Sequence, residues 1–329
     1  MKIFTTQNKR VFSLLTFVLS IGLGFPSFAE ANPLTNFKIG TGTATGIYYP
    51  TGSAICKIFN AKRTNEDPSC TALPSQGSIS NLENLKNGNI SFAILQSEIQ
   101  NQAYHTMDEF SDIKNRDLRS IFSLYPESIN IFVRKTSDIR SFDDLKGKKI
   151  NLGEKGSGSR QAFEKILNIY NFSYSDFAAV SEYNSFDQSE QLCSGVIDVA
   201  IYTVGHPSAI LQKLVTTCNL RIIPLKGPKI EEFMRINKEY SKVIIPGSLY
   251  FGNHENVDTI AVKASLVAMK DLDNKIVYKL VKDIFENLES FKKLHPALLS
   301  LRKEKMVKEG NTSPIHEGAR QYYKEIGIE

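Results

Sequence analysis

Two stretches of this chain share one pattern: Phe37-Lys38-Ile39-Gly40-Thr41-Gly42-Thr43-Ala44-Thr45-Gly46-Ile47-Tyr48-Tyr49-Pro50 and Lys149-Ile150-Asn151-Leu152-Gly153-Glu154-Lys155-Gly156-Ser157-Gly158-Ser159. Each opens on a short apolar strand, passes a loop rich in Gly, Thr and Ser, and enters a helix. Pro50 suits a first helical position. Ile55, Ile58 and Phe59 stripe the first helix, as Phe163, Ile166 and Leu167 stripe the second. The alternation continues between them. Leu73 leads through the loop 74–78 into a helix with capping-box spacing at Ser80 and Glu83, and Gly88 stops it before a strand at 91–95 that ends on Gln96. Residues 121–124 and 129–133 read as two strands interrupted by Tyr125-Pro126-Glu127. A helix from about Gln188 to Gly195 precedes a strand at 196–201 that runs into Tyr202 and Thr203. Near the end, Ile276, Leu280, Ile284, Leu288 and Phe291 fall at the spacing of one long amphipathic helix. Strands alternating with helices predict a parallel α/β arrangement: two α/β units and a helical tail.

Length and composition fit that reading. The 329 residues suggest two domains, and 41% hydrophobic with 23% charged residues is ordinary globular composition. Lys2, Lys9 and Arg10, an apolar run over 11–24, then Ser27-Phe28-Ala29 have the order of a secretory signal peptide, residues 1–29. The apolar run is shorter than a bilayer span of roughly 20 residues. The formal charge is +5; cutting after Ala29 removes three positive charges and no negative one, leaving +2 on 300 residues. Nucleic-acid binding through bulk charge is excluded. Export without an anchor predicts a periplasmic protein. Its four cysteines allow three pairings. Cys56–Cys70 and Cys193–Cys218 are favoured because each pair then sits inside one structural unit. No spacing typical of zinc supports a metal site.

The loops carry the chemistry. A helix start leaves backbone N–H groups unpaired at the positive end of the dipole, so residues 40–49 and 153–159 suit a carboxylate or phosphate. The competing use is a tight turn with Ser as N-cap. Gly40, Gly42 and Gly46 do not complete a dinucleotide fingerprint, and no P-loop ending exists. The five histidines form no metalloprotease motif, and His206 reads as a turn residue before Pro207. Asp143-Asp144 reads as a solvated helix start. Nothing here names a reaction, a cofactor or a metal.

The same residues resemble the TAXI solute-binding proteins, receptors of one branch of the tripartite ATP-independent periplasmic (TRAP) transporters. The similarity runs from Ile39-Gly40-Thr41-Gly42 and Tyr48-Tyr49-Pro50 through Gln76-Gly77-Ser78 and Ala93-Ile94-Leu95-Gln96-Ser97 to Ser123-Leu124-Tyr125-Pro126-Glu127. It continues in Asp144-Leu145-Lys146-Gly147-Lys148, Gly156-Ser157-Gly158-Ser159, Ile245-Pro246-Gly247 and His316-Glu317-Gly318-Ala319. Glu317 stands where Pro is often found. The resemblance implies a two-lobed α/β periplasmic-binding-protein fold of type II, with a hinge and an interlobe ligand cleft. The lobes would be 30–126 with 256–329, and 127–255. It implies a TRAP membrane permease as partner, and the cysteines, like those of a subgroup, support the local pairing.

The expected function is therefore capture of a small anionic or zwitterionic solute, with a leaning to glutamate or a related organic acid, by a monomer without cofactor. A sensor input or an enzyme of the thiamine-pyrimidine-synthase kind on the same fold is the alternative. Candidate ligand-binding residues are Thr41, Gly42, Thr43, Gly46, Tyr48, Gln76, Ser78 and Gln96 from the first unit. Ser157, Gly158, Ser159 and Thr203 come from the second, with Tyr250 as an aromatic wall. Glu127 is a poorer candidate, since it would repel an anion, and is assigned to organising the hinge. Arg160 is assigned to a solvated helix face.

Overall fold

A computed structural model describes residues 36–65, 67–105 and 116–329; the leader lies outside them. In chain order come β1 (Phe37–Gly40), α1 (Tyr48–Lys62), β2 (Cys70–Leu73), α2 (Ser78–Lys86), β3 (Phe92–Gln96), α3 (Ser97–His105) and β4 (Leu118–Arg134). Then follow β5 (Lys149–Asn151), α4 (Gly158–Ile169), β6 (Ala179–Ser181), α5 (Asp187–Ser194), β7 (Val199–Val204), α6 (Ala209–Thr217), β8 (Leu220–Ile223), α7 (Pro228–Ile236) and β9 (Ser241–Ile245). β10 (Val257–Met269) returns, and α8 (Asn274–Glu286), α9 (Leu288–Lys292), α10 (Lys303–Lys308) and α11 (Glu317–Glu325) complete the chain.

The strands form one sheet in the order β2-β1-β3-β10-β4-β7-β5-β6, with β8 beside β4 and β9 beside β10. β1 is parallel to β2 and β3, and β5 is parallel to β6 and β7, as the alternation predicts. Two long antiparallel strands join these groups. β4 pairs with β10 up to Ser128, then with β7 from Ser128 onward and with β8 from Ile131. β10 pairs with β9 as far as Ala261 and with β3 from Ala264. Ala261 and Ser128 face each other, so both strands change partners at one cross-strand pair. Helices cover both faces of each half. Phe142, Phe163 and Phe233 pack under the second half, and Leu82, Ile99 and Leu118 under the first.

Several local expectations are corrected. Residues 118–134 are one strand, not two. Pro126 is tolerated because its register partner Lys263 borders an irregularity in the β4–β10 pairing, and β7 takes up the other edge only at Ser128. α2 begins at Ser78, with Gly77 (φ 121°) as its cap, so Ser80 and Glu83 make no capping box. The strand expected at 196–201 lies at Val199–Val204, because Gly195 (φ 85°) ends α5 and Arg134 holds the carbonyls of Leu192 and Ile197. The long C-terminal helix breaks at Asn287, yet all five stripe residues are buried. Cys56–Cys70 ties α1 to β2 and Cys193–Cys218 ties α5 to the end of α6, the local pairing.

Candidate ligand-binding site

A cavity of about 100 Å³ opens between the two halves of the sheet. Gly42, Thr43 and Gly46 come from the loop before α1, Tyr48 from its first turn, Gln76 and Ser78 from the start of α2, and Gln96 from the end of β3. Ser157, Gly158 and Ser159 come from the start of α4, and Thr203 from β7. Eleven of the thirteen expected residues thus line one space, which makes the shared pattern of the two loops a spatial fact. Thr41 and Tyr250 are the exceptions. Thr41 is fully buried; its Oγ1 donates to the Leu73 carbonyl (2.6 Å) and anchors β1 to β2 instead. Tyr250 is buried behind the wall, where its Oη lies 2.7 Å from His206 Nδ1 and accepts from the Ser208 N–H (3.0 Å). His206 is therefore more than a turn residue, and burial pushes it down to about 4.

The helix starts differ. α1 and α2 begin at Ile47 and Gly77 with no side-chain cap. α4 is capped: Ser157 Oγ accepts from the Arg160 N–H (3.3 Å) and donates to the Glu154 carbonyl (2.8 Å). Ser159 Oγ is 3.3–3.4 Å from the Thr203 backbone, while Thr203 Oγ1 and Gln96 Oε1 are buried without a partner. Ser78 Oγ accepts the Gln96 N–H (3.0 Å) and lies 3.4 Å from Tyr48 Oη.

Two acids also line the cavity. Glu127 is 4% exposed, lines the cavity, and accepts from Tyr48 Oη at 2.7 Å. Burial pushes its carboxyl up to about 8, against the stabilising Tyr48 hydrogen bond. Glu154 also lines the space, raised by burial and then by Asp187. The lining contains no Lys, Arg or His among the described residues. Arg160 stands beside the loop and pairs with Glu164 (2.8 Å) and Glu182 (2.6 Å); its side chain is 16% exposed, an ion-paired group and not the solvated one expected. Gln188, Ser185 and Tyr202 complete the second wall. Gln188 is committed to Asn151 and to both backbone groups of Ile201. Its inward position depends on how α5 docks on β7, which no local motif signals.

The model of one family, described as the NMT1-like family, matches residues 39–327, nearly all of the described chain. The chain belongs to the NMT1-like family. The fold of this NMT1-like protein is that of the two-lobed α/β periplasmic binding proteins. It is similar to PhnD1 from Prochlorococcus marinus, solved in complex with methylphosphonate: TM-score 0.54, 12% identity, 91% of this chain and 100% of that one covered. A protein from Bordetella bronchiseptica RB50 matches with TM-score 0.53 and 16% identity over 89% and 98% of the two chains. The periplasmic aliphatic sulphonate binding protein SsuA from Escherichia coli matches with TM-score 0.47 and 15% identity over 82% and 80%. At such identities the likeness concerns the fold of the NMT1-like chain and not its ligand.

Proposed function

We propose that this protein is an exported solute receptor that captures a small zwitterion, L-glutamate in the first place, and delivers it to a membrane permease. The observation that carries this is the pair of acids in the cavity wall. Glu127 and Glu154 line the cavity together with the N-termini of α1, α2 and α4, and without a cationic side chain among the described lining residues. Burial holds the Glu127 carboxyl up at about 8, and a dicarboxylate brings no cation that would let it ionise, whereas an ammonium does. An amino acid suits both ends: its carboxylate takes the helix-start N–H groups, and its ammonium takes Glu127. The expectation of an anion or zwitterion thereby narrows to a zwitterion.

Binding rather than catalysis is supported by how the reactive groups are engaged. Ser157 Oγ donates to a backbone carbonyl and not to a base, and Glu127 is held by Tyr48. We place the hinge at the Ser128–Ala261 pair, between lobes 30–126 with 256–329 and 127–255, because both long strands change partners there. A TRAP permease is the proposed partner, on the strength of residues 40–50 and 123–127. Uptake in vesicles that persists on an ion gradient without ATP supports that partner, and strict ATP dependence rejects it.

L-Glutamate and 2-oxoglutarate share a carbon skeleton and differ at the ammonium centre. Thermal shift and calorimetry are expected to show binding of glutamate, or of another amino acid in a panel, and not of 2-oxoglutarate. Equal affinity for the two sinks the reading. Glu127→Gln should weaken amino-acid binding by about 1.5–3 kcal/mol, or tenfold to over a hundredfold.

A further inference from the structure

Gly158 is the first residue of α4, and its φ lies outside the left-handed region, so its backbone does not call for glycine. The space around it does. A Cβ built there would overlap Gln96 Oε1, lie 2.7 Å from Gln96 Cδ, and sit 3.1 Å from Ser78 Oγ. These neighbours belong to β3 and α2 in the first half, whereas Gly158 belongs to the second. Gln96 is 2% exposed, and the open space beside it is the cavity whose wall it forms. Its carboxamide therefore fills the volume that the glycine leaves, at a point where the two halves meet.

We propose that Gly158 and Gln96 form the stop that sets how far the two halves close on the ligand. Any side chain at 158 holds the halves apart or drives Gln96 into the ligand's space, and both weaken binding. This rests on the receptor reading and adds to it a positioning pair that works by volume, not by contact with the ligand.

A cross-link tests the geometry without ligand. A Cβ at 158 lies 3.1 Å from the Ser78 Oγ position, close to the separation of roughly 3 Å between a Cβ and the far sulfur of a disulfide. Ser78→Cys with Gly158→Cys should form a disulfide readily when Gln96→Ala clears the space. With Gln96 present the cross-link should form at least about tenfold more slowly. Equal rates in the two backgrounds, or no cross-link in either, overturn the proposal. The second measurement is calorimetry with L-glutamate. Gly158→Ala should weaken binding by about tenfold or more with Gln96 present, and far less when compared against Gln96→Ala alone. A Gly158→Ala protein that binds like the parent overturns the stop while leaving the receptor reading intact. If the parent itself fails to bind glutamate, that counts against the ligand reading alone, and the cross-link still decides the stop.

Discussion

The loop before α1 and the loop before α4 have nearly the same composition and are used differently. Ahead of α1 no side chain caps the helix start; ahead of α2, Ser75 Oγ accepts the Gly77 N–H (2.9 Å), and Gly77 has no side chain to cap the turn that follows. Ahead of α4, Ser157 has taken the cap for itself, and the wall presents Ser159 and Thr203 instead. Composition alone places a loop at a helix start. Whether a Ser caps that start or stays free for a ligand depends on backbone geometry a few residues away, and the two loops differ accordingly: Ser-capped ahead of α4, uncapped ahead of α1.

The largest expected effect contrasts the acids of the two halves. Glu98, in the first turn of α3, is fully buried with both carboxyl oxygens unpartnered, and burial pushes it up to about 8, as it does Glu127. Below about pH 4.5 such a carboxyl is neutral both folded and unfolded, and its burial carries no ionisation penalty. As pH rises toward 8 the unfolded chain releases the proton and the folded chain retains it. Stability should then fall by up to about 1.4 kcal/mol per pH unit per group. Melting temperatures measured from pH 5 to 8 should decline, and Glu98→Gln should flatten the decline more than Glu154→Gln does. An unchanged slope in Glu98→Gln means that Glu98 is not the group retaining a proton.

A smaller effect separates the two serines. Ser78→Ala leaves the buried Gln96 N–H without its acceptor and should destabilise by about 1–3 kcal/mol, with weaker ligand binding. Ser157→Ala removes a cap worth about 1 kcal/mol and should leave affinity nearly unchanged. Denaturant melts and calorimetry on both variants check this, and a greater affinity loss in Ser157→Ala would reverse the division of labour. The smallest effect belongs to Thr43, whose Oγ1 has only a 3.5 Å contact with Thr45. Thr43→Val should keep full stability and lose about two- to tenfold in affinity.

Much of this site is readable from residue order because a strand–loop–helix unit delivers its loop to one end of the sheet whatever packs around it. Gly42 to Tyr48 and Ser157 to Ser159 arrive that way. Thr41 is absent from the cavity wall because it still belongs to the β1–β2 connection, where its hydroxyl meets a carbonyl 32 residues away. Tyr250 is absent from the wall because its loop folds back on His206. Glu127 and Gln188 line the cavity without having been among the expected residues, for a shared reason. Their positions are fixed by long-range registers, β4 against β10 and α5 against β7, and a buried acid in an anion site looks unfavourable until a ligand ammonium is considered.

The partner exchange of β4 and β10 also bears on the order in which the molecule can be assembled. β3 ends at Gln96, and its neighbour on that side is β10, where Gln96 pairs with Ala264. Every neighbour of β7, and the β4–β8 pairing, is available once residue 223 has emerged. Contacts between distant parts of a chain slow folding, because a long loop must close before they form. The first half, although synthesised first, is thus the last to be completed, and its sheet keeps an open edge until nearly four-fifths of the chain is present. On the export proposed above, that delay gives the chain time to cross a membrane before its sheet is complete.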